Sequence, residues 1–173
     1  NLQVFAYPFQ DVKTRAQNYW RDVGTIDAYY EANLELVHVA PELNIYDAEW
    51  PIWTYQLQQP PAKFVLEAGA RVGTAIKSRG AGGAIVSGAQ IRESLLFSNV
   101  RVNERSTVYR SVILPGVSIG RDCHVRGAIV DEGCEVPDGT SIGFDAAQDR
   151  KRFFVTDRGV VLVTAGMLRP AAA

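Results

Sequence analysis

The segment Tyr19-Trp20-Arg21-Asp22-Val23-Gly24-Thr25 holds the residues whose types and order best suit chemistry. A carboxylate placed just before a glycine and a helix N-terminus can hold a divalent cation, which in turn can clamp phosphate oxygens. Asp22 has that place. Arg21 suits phosphate recognition, and Tyr19 and Trp20 can line a pocket beside it. The plainer alternative is a capping loop with a surface ion pair, and the residues alone leave both open. A second group, Arg150, Lys151, Arg152, Arg158 and Arg169, is suited to phosphate or carboxylate ligands, or is a solvated charged turn. His124 can act as a base, although a corner or surface position is its simpler reading, and His38 falls where a helix ends and can meet terminal carbonyls. Cys123 and Cys134 are too few for a disulfide framework and lack zinc spacing, so they read as small buried thiols.

These groups need elements to hold them. Thr25 can cap a helix with Asp27 in its first turn, followed by Ile26, Tyr29, Tyr30, Leu34 and Val37 at helical spacing and a stop before Pro41. Ahead of it, Leu2 to Phe9 alternates loosely like a strand and a polar stretch runs to Asn18. Trp50 to Phe64, with Pro51, Pro60 and Pro61, reads as an extended connector, and the glycine-rich Gly69 to Gly83 as a loop entering a repeat. After Gly143 a polar stretch, FDAAQDRKR, leads into a strand-like VVLV.

The repeat itself is the strongest signal in the chain. In rows of 17 residues from Ile91, the first column reads Ile91, Val108, Val125, Ile142, and the twelfth reads Ile85, Val102, Ile119, Val136. Between them stand Leu95, Val112, Ile129, then Leu96, Ile113, Val130, then Val100, Val117, Cys134. Small residues also align, as Ser94, Ser111, Ala128 and as Ala89, Ser106, Cys123, Thr140. An apolar, often β-branched residue about every six positions fits a short strand, a corner and another strand, three to a coil. Stacked coils then pair backbone to backbone, and their inward side chains form ladders. Asn99, Gly116 and Gly133 share a column where a corner needs a left-handed backbone. A plain β-sandwich would not keep register in so many columns.

The whole-chain balance adds exclusions. With 18 basic and 19 acidic residues, the formal charge of -1 gives no reason to expect nucleic acid or a membrane surface as partner. Apolar runs are only a few residues long, which argues against a spanning helix or signal peptide, so a cytoplasmic protein is expected. The one methionine is Met167, so Asn1 is not expected to be an unprocessed translation start, and the chain reads as trimmed or as a piece of something longer. The strand, loop and helix of the first sixty or so residues are too little to close a core. They read as the end of a larger α/β domain.

Three stretches carry a specific resemblance: YWRDVGTIDAYYEANLEL, PELNIYDAEWPIWTYQLQQPPAKFV and SGAQIRESLLFSNVRVN, with the closing GVVLVT. Together they resemble the C-terminal part of the bacterial glucose-1-phosphate adenylyltransferases, or ADP-glucose pyrophosphorylases. The resemblance implies a mainly β fold, a left-handed parallel β-helix of hexapeptide type after the remnant of an α/β nucleotidyltransferase domain. Its implied boundaries are 1–50 for the remnant, 51–84 for a connector and 85–173 for the β-helix with its tail.

That family joins ATP and α-D-glucose 1-phosphate to give ADP-glucose and diphosphate, a step of glycogen biosynthesis. By resemblance Asp22 helps hold Mg2+, and Arg21 and Trp20 shape the sugar-phosphate side. The family's glycine-rich nucleotide loop, first metal-binding aspartate and Glu-Lys-Pro motif belong upstream and do not occur here. This chain alone is therefore expected to be inactive, with the catalytic half elsewhere. The family's β-helix also implies a homotetramer and anionic metabolite effectors, for which Arg150, Lys151, Arg152, Arg158 and Arg169 are the candidates. Relatives activated by fructose 1,6-bisphosphate have arginine where this chain has Ala165 and can have it at Glu132, which leaves the effector open. A rival class is the hexapeptide acyltransferases, with His124 as base, and a third is a non-catalytic assembly module.

Overall fold

The computed structural model describes residues 3–10, 14–49, 51–52, 55, 57–65 and 72–168. After an irregular N-terminal stretch comes α1 (Ile26–Glu35), and then the chain winds into a three-sided parallel solenoid. Its first coil is β1 (Lys63–Val65), β2 (Thr74–Ile76) and β3 (Arg79–Gly80). The second is β4 (Ile85–Ser87), β5 (Gln90–Arg92) and β6 (Leu95–Leu96), and the third is β7 (Arg101–Val102), β8 (Thr107–Tyr109) and β9 (Val112–Ile113). Next come β10 (Ser118–Ile119), β11 (His124–Arg126) and β12 (Ala128–Val130), then β13 (Glu135–Val136) and β14 (Ser141–Ile142). The close is α2 (Ala146–Arg152), β15 (Phe154–Val155), β16 (Val161–Val163) and α3 (Ala165–Leu168).

Three sheets make the three faces. Their orders are β1-β4-β7-β10-β13, β2-β5-β8-β11-β14 and β3-β6-β9-β12-β16-β15. The third strand of the last coil is supplied by β16, which pairs in parallel with β12 and antiparallel with β15. The inward columns read from the sequence are the core: Ile91, Val108, Val125 and Ile142 stack and are essentially unexposed, as do Leu96, Ile113 and Val130. Each such side chain contributes about 2 kcal/mol by leaving water.

Buried hydroxyls are satisfied within a ladder of their own. Ser94 N–H donates to Ser78 Oγ at 3.2 Å, Ser111 N–H to Ser94 Oγ at 3.1 Å and Ala128 N–H to Ser111 Oγ at 3.2 Å. The column of small residues exists because each coil's hydroxyl receives the next coil's amide. Both cysteines are free and buried, as expected, and burial pushes each thiol's pKa up.

Several expectations need correction. The solenoid begins at Lys63 and not Ile85, since β1 to β3 pair coil to coil with β4 to β6. The glycines of 69–83 misled because at least one marks close packing: a Cβ on Gly73 would lie 2.3 Å from Val86 O. The twelfth column also slips, because Val102 pairs with Val86, 16 residues back, and not with Ile85. The corner at Ser87-Gly88-Ala89 is one residue shorter than the next coil's corner at Asn103-Glu104-Arg105-Ser106, which restores the 17-residue step.

Residues 3–9 form no strand, and Val4, Phe5, Tyr7 and Phe9 are exposed. A strand needs a ladder partner, and this segment makes only an isolated bridge between Gln10 and Gln17. The polar FDAAQDRKR stretch contains α2, capped by Asp145, which accepts from Ala147 N at 2.9 Å and Gln148 N at 3.1 Å. Seven residues with one buried side chain, Asp149, give no apolar stripe to read.

Candidate functional site at the seam of helix and solenoid

Helix α1 carries the candidate loop, and its residues explain both its start and its position. Thr25 caps it by accepting from Ala28 N at 3.1 Å, as the sequence suggests. Positions 27, 30, 31 and 34 fall on one helical face, and every one of them grips the solenoid. Tyr30 and Leu34 bury against Val112, Ile129 and Val160. The Tyr30 hydroxyl donates to the carbonyl of Arg110. Thr156 Oγ1 donates to Asp27 Oδ1 at 2.7 Å, and Arg158 Nη2 meets Glu31 Oε1 at 2.5 Å. At the other end Arg79 donates to Leu36 O, where a cation suits unpaired helix carbonyls.

The loop before the helix is anchored by Arg21. Its Nε meets Glu35 Oε2 at 2.9 Å and its Nη2 meets Glu35 Oε1 at 3.1 Å, while Nη2 also reaches Glu42 Oε2 at 2.5 Å. These bonds, to Glu35 first and then Glu42, raise the guanidinium pKa further. The same guanidinium lies over the Tyr19 ring, whose pKa is raised by burial and by Glu35 against the lowering pull of Arg21. Trp20 stands exposed beside them. Arg21 is thus committed to two carboxylates, the ion-pair alternative for this loop.

Asp22 lies next to that anchor. Its Oδ1 accepts from Gly24 N at 2.9 Å, which tightens the turn into the cap. Among the described residues, no group of three or more His, Cys, Asp or Glu side chains is gathered to hold a metal. One exposed carboxylate still fits a hard cation such as Mg2+, which takes one or two protein oxygens and fills its shell with water and phosphate. Asp22 is the residue that would contribute it.

The basic candidates separate into two settings. Arg150, Lys151 and Arg152 occupy the last turn of α2, where cations suit the helix C-terminus. Arg158 lies in the turn before β16 and pairs with Glu31 on α1, while Arg169 lies outside the described residues. His124 projects from β11 with Nδ1 2.9 Å from Thr107 Oγ1 and its ring edge against Phe144. It is a strand residue on the surface and not a corner one. His38 follows α1 with its backbone amide donating to Glu35 O.

The gripping residues Glu31 and Thr156 escape a sequence reading. Nothing local marks Thr156 as the partner of a residue 129 positions away.

The coils, corners and repeat length match a known pattern. The family described as "GlmU-like, C-terminal hexapeptide" covers residues 60–163. The chain belongs to that family. Its hexapeptide coils form the left-handed β-helix expected from the sequence. Among curated relatives, the hexapeptide chain is 58% identical over 168 residues to a glucose-1-phosphate adenylyltransferase of Nitrosococcus oceani, covering 97% of this chain and 40% of the relative. It is 57% identical to the protein of that name from Methylococcus capsulatus, covering 94% and 38%, and 48% identical to that of Nitrosomonas europaea, covering 97% and 40%. The chain therefore spans about two fifths of the length of the relatives it matches. No helix among the described residues is long and apolar enough to cross a membrane.

Proposed function

We propose that this chain is the C-terminal hexapeptide part of a glucose-1-phosphate adenylyltransferase of the cytoplasm. In this reading it lends Asp22 to the catalytic centre and serves assembly and regulation through its β-helix. The observation that carries the reading is the docking of α1. The helix that begins at the Asp22 loop is fixed to the solenoid at four successive gripping positions, so the coils set where that loop stands. Identity across nearly the whole chain with relatives of that name supports the same conclusion.

The complete enzyme would join ATP and glucose 1-phosphate, with the sugar phosphate attacking the nucleotide α-phosphate and diphosphate leaving. Mg2+, when bound, would offset charge on the phosphate oxygens. Asp22 would offer one oxygen to that cation, the Gly24 amide would orient the carboxylate, and Arg21, held by Glu35 and Glu42, would keep the loop in register. Trp20, exposed next to them, would flank the sugar phosphate. The positive turn of α2, with Arg150, Lys151 and Arg152, would face anionic effectors, and the solenoid would contribute contacts of a homotetramer.

The test is Asp22→Asn in the complete enzyme. Expected is a fall of at least about a hundredfold in Mg2+-dependent ADP-glucose synthesis, with the thermal midpoint unchanged. Full activity in that variant removes Asp22 from the site, and acetyl-CoA binding by the protein would favour an acyltransferase instead.

A further inference from the structure

Thr156 sits in the turn joining β15 to β16, nearly buried, and its hydroxyl is used twice. It donates to Asp27 Oδ1 at 2.7 Å and accepts from Val160 N at 3.0 Å. The turn is closed further by Thr156 N–H donating to Val160 O and Gly159 N–H donating to Thr156 O. Two residues on, Arg158 pairs with Glu31, one helical turn beyond Asp27. The β15–β16 hairpin therefore clasps the first two turns of α1 by two polar links, one to each turn.

That first turn is where the candidate loop is decided. Asp22 stands three residues before the Thr25 cap, and its carboxylate is oriented by the amide of Gly24. Rotation or fraying of the first turn of α1 would move Asp22, because only Val23, Gly24 and the Thr25 cap lie between them. Among the described residues, the Asp27 link is the polar side-chain bond that ties the first turn itself to the solenoid, and it is short and part-buried; Tyr30, one turn on, adds its bond to the Arg110 carbonyl. The Arg158–Glu31 pair is solvent-exposed on both sides and correspondingly weak. Burial strengthens the Asp27 link and screening diminishes the Arg158–Glu31 pair.

We infer that Thr156 is a positioning residue for the Asp22 loop, acting through Asp27, and that the β15–β16 hairpin is the element through which the C-terminal end of the chain biases the catalytic loop. This rests on the proposal that Asp22 serves the catalytic centre. The hydroxyl holds the N-terminal end of α1, next to the loop, and so the direction in which the Asp22 carboxylate is presented. A displacement of the order of an ångström at a reacting centre is enough to lower a rate strongly. The hairpin is covalently continuous with α3, so movement there would reach the loop along bonded chain and two side-chain links.

The experiment uses the complete enzyme with Thr156→Val, which keeps shape and removes the hydroxyl, and Thr156→Ser, which keeps the hydroxyl. Rates are measured across Mg2+ concentrations, along with the KM for ATP and the thermal midpoint. Expected for Thr156→Val is a fall in kcat of about tenfold, a higher Mg2+ concentration for half-maximal rate and an ATP KM near the parent's, with Thr156→Ser restoring all three. Asp27→Ala, at a less buried position, removes the acceptor of the same bond and provides the same reading if Thr156→Val does not fold. Parental kcat and Mg2+ dependence in a folded Thr156→Val or Asp27→Ala, while Asp22→Asn is inactive, overturns the inference alone. Full activity of Asp22→Asn overturns the reading beneath it.

Discussion

Arg21 faces Glu35 in a two-pronged pair, Nε to Oε2 at 2.9 Å and Nη2 to Oε1 at 3.1 Å, across 14 residues of chain. The pair joins the candidate loop to the last residue of α1, so the helix is tied to the loop at both ends, by the Thr25 cap at one and by this fork at the other.

The fork sets an expectation for substitution. Lysine presents a point charge and cannot bridge both carboxylate oxygens in one plane. Arg21→Lys and Glu35→Gln should each lower the thermal midpoint slightly, and the double variant should fall no further than the worse single one. A double-mutant cycle on thermal midpoints checks this, and simple additivity would show that the two side chains act independently.

Tyr30 gives a pH-dependent expectation. Burial raises its phenol pKa from the ordinary 10.0, with Arg110 opposing, so the folded state favours the neutral, donating form. A raised acid pKa means that this stabilisation is complete below pH 10 and is lost as pH climbs through the folded value. Tyr30→Phe should cost about 1–2 kcal/mol at neutral pH, because the Arg110 carbonyl loses its donor. The gap between parent and variant should narrow above pH 10. Unfolding in urea at pH 7 and at more alkaline pH measures both, and a constant gap would show that the phenol does not titrate in this way.

Two glycines with left-handed backbones separate conformational strain from lack of space. Gly133 has φ +65° with open space where a Cβ would go, whereas at Gly143, φ +82°, a Cβ would lie 1.7 Å from Arg126 O. Gly133→Ala should cost about 1 kcal/mol, the penalty of a left-handed alanine. Gly143→Ala should cost about 3 kcal/mol or more, because coil backbone must also move. Urea midpoints of the two variants test the ranking, and equal losses would mean that backbone relaxes around Gly143 at little cost.

The sequence by itself settled the repeat, the parallel coils and the inward columns apart from the first position of the twelfth. Inward and outward positions follow from the local alternation of a strand, and stacking then repeats that alternation every coil. Asn99 and Gly116 could be placed at corners for the same local reason, and both do have positive φ. Thr25 was readable as a cap because the capping bond reaches only three residues ahead. Where pairing partners are distant, the sequence was silent. The shorter corner at Ser87-Gly88-Ala89, the coil beginning at Lys63 and the seating of α1 depend on which backbone meets which. So do the commitment of Arg21 to Glu35 and Glu42 and the link from Thr156 to Asp27, since a charge or hydroxyl carries no mark of its partner until the chain has closed around it. Only the tertiary structure could decide that the helix following Asp22 is gripped by the β15–β16 hairpin.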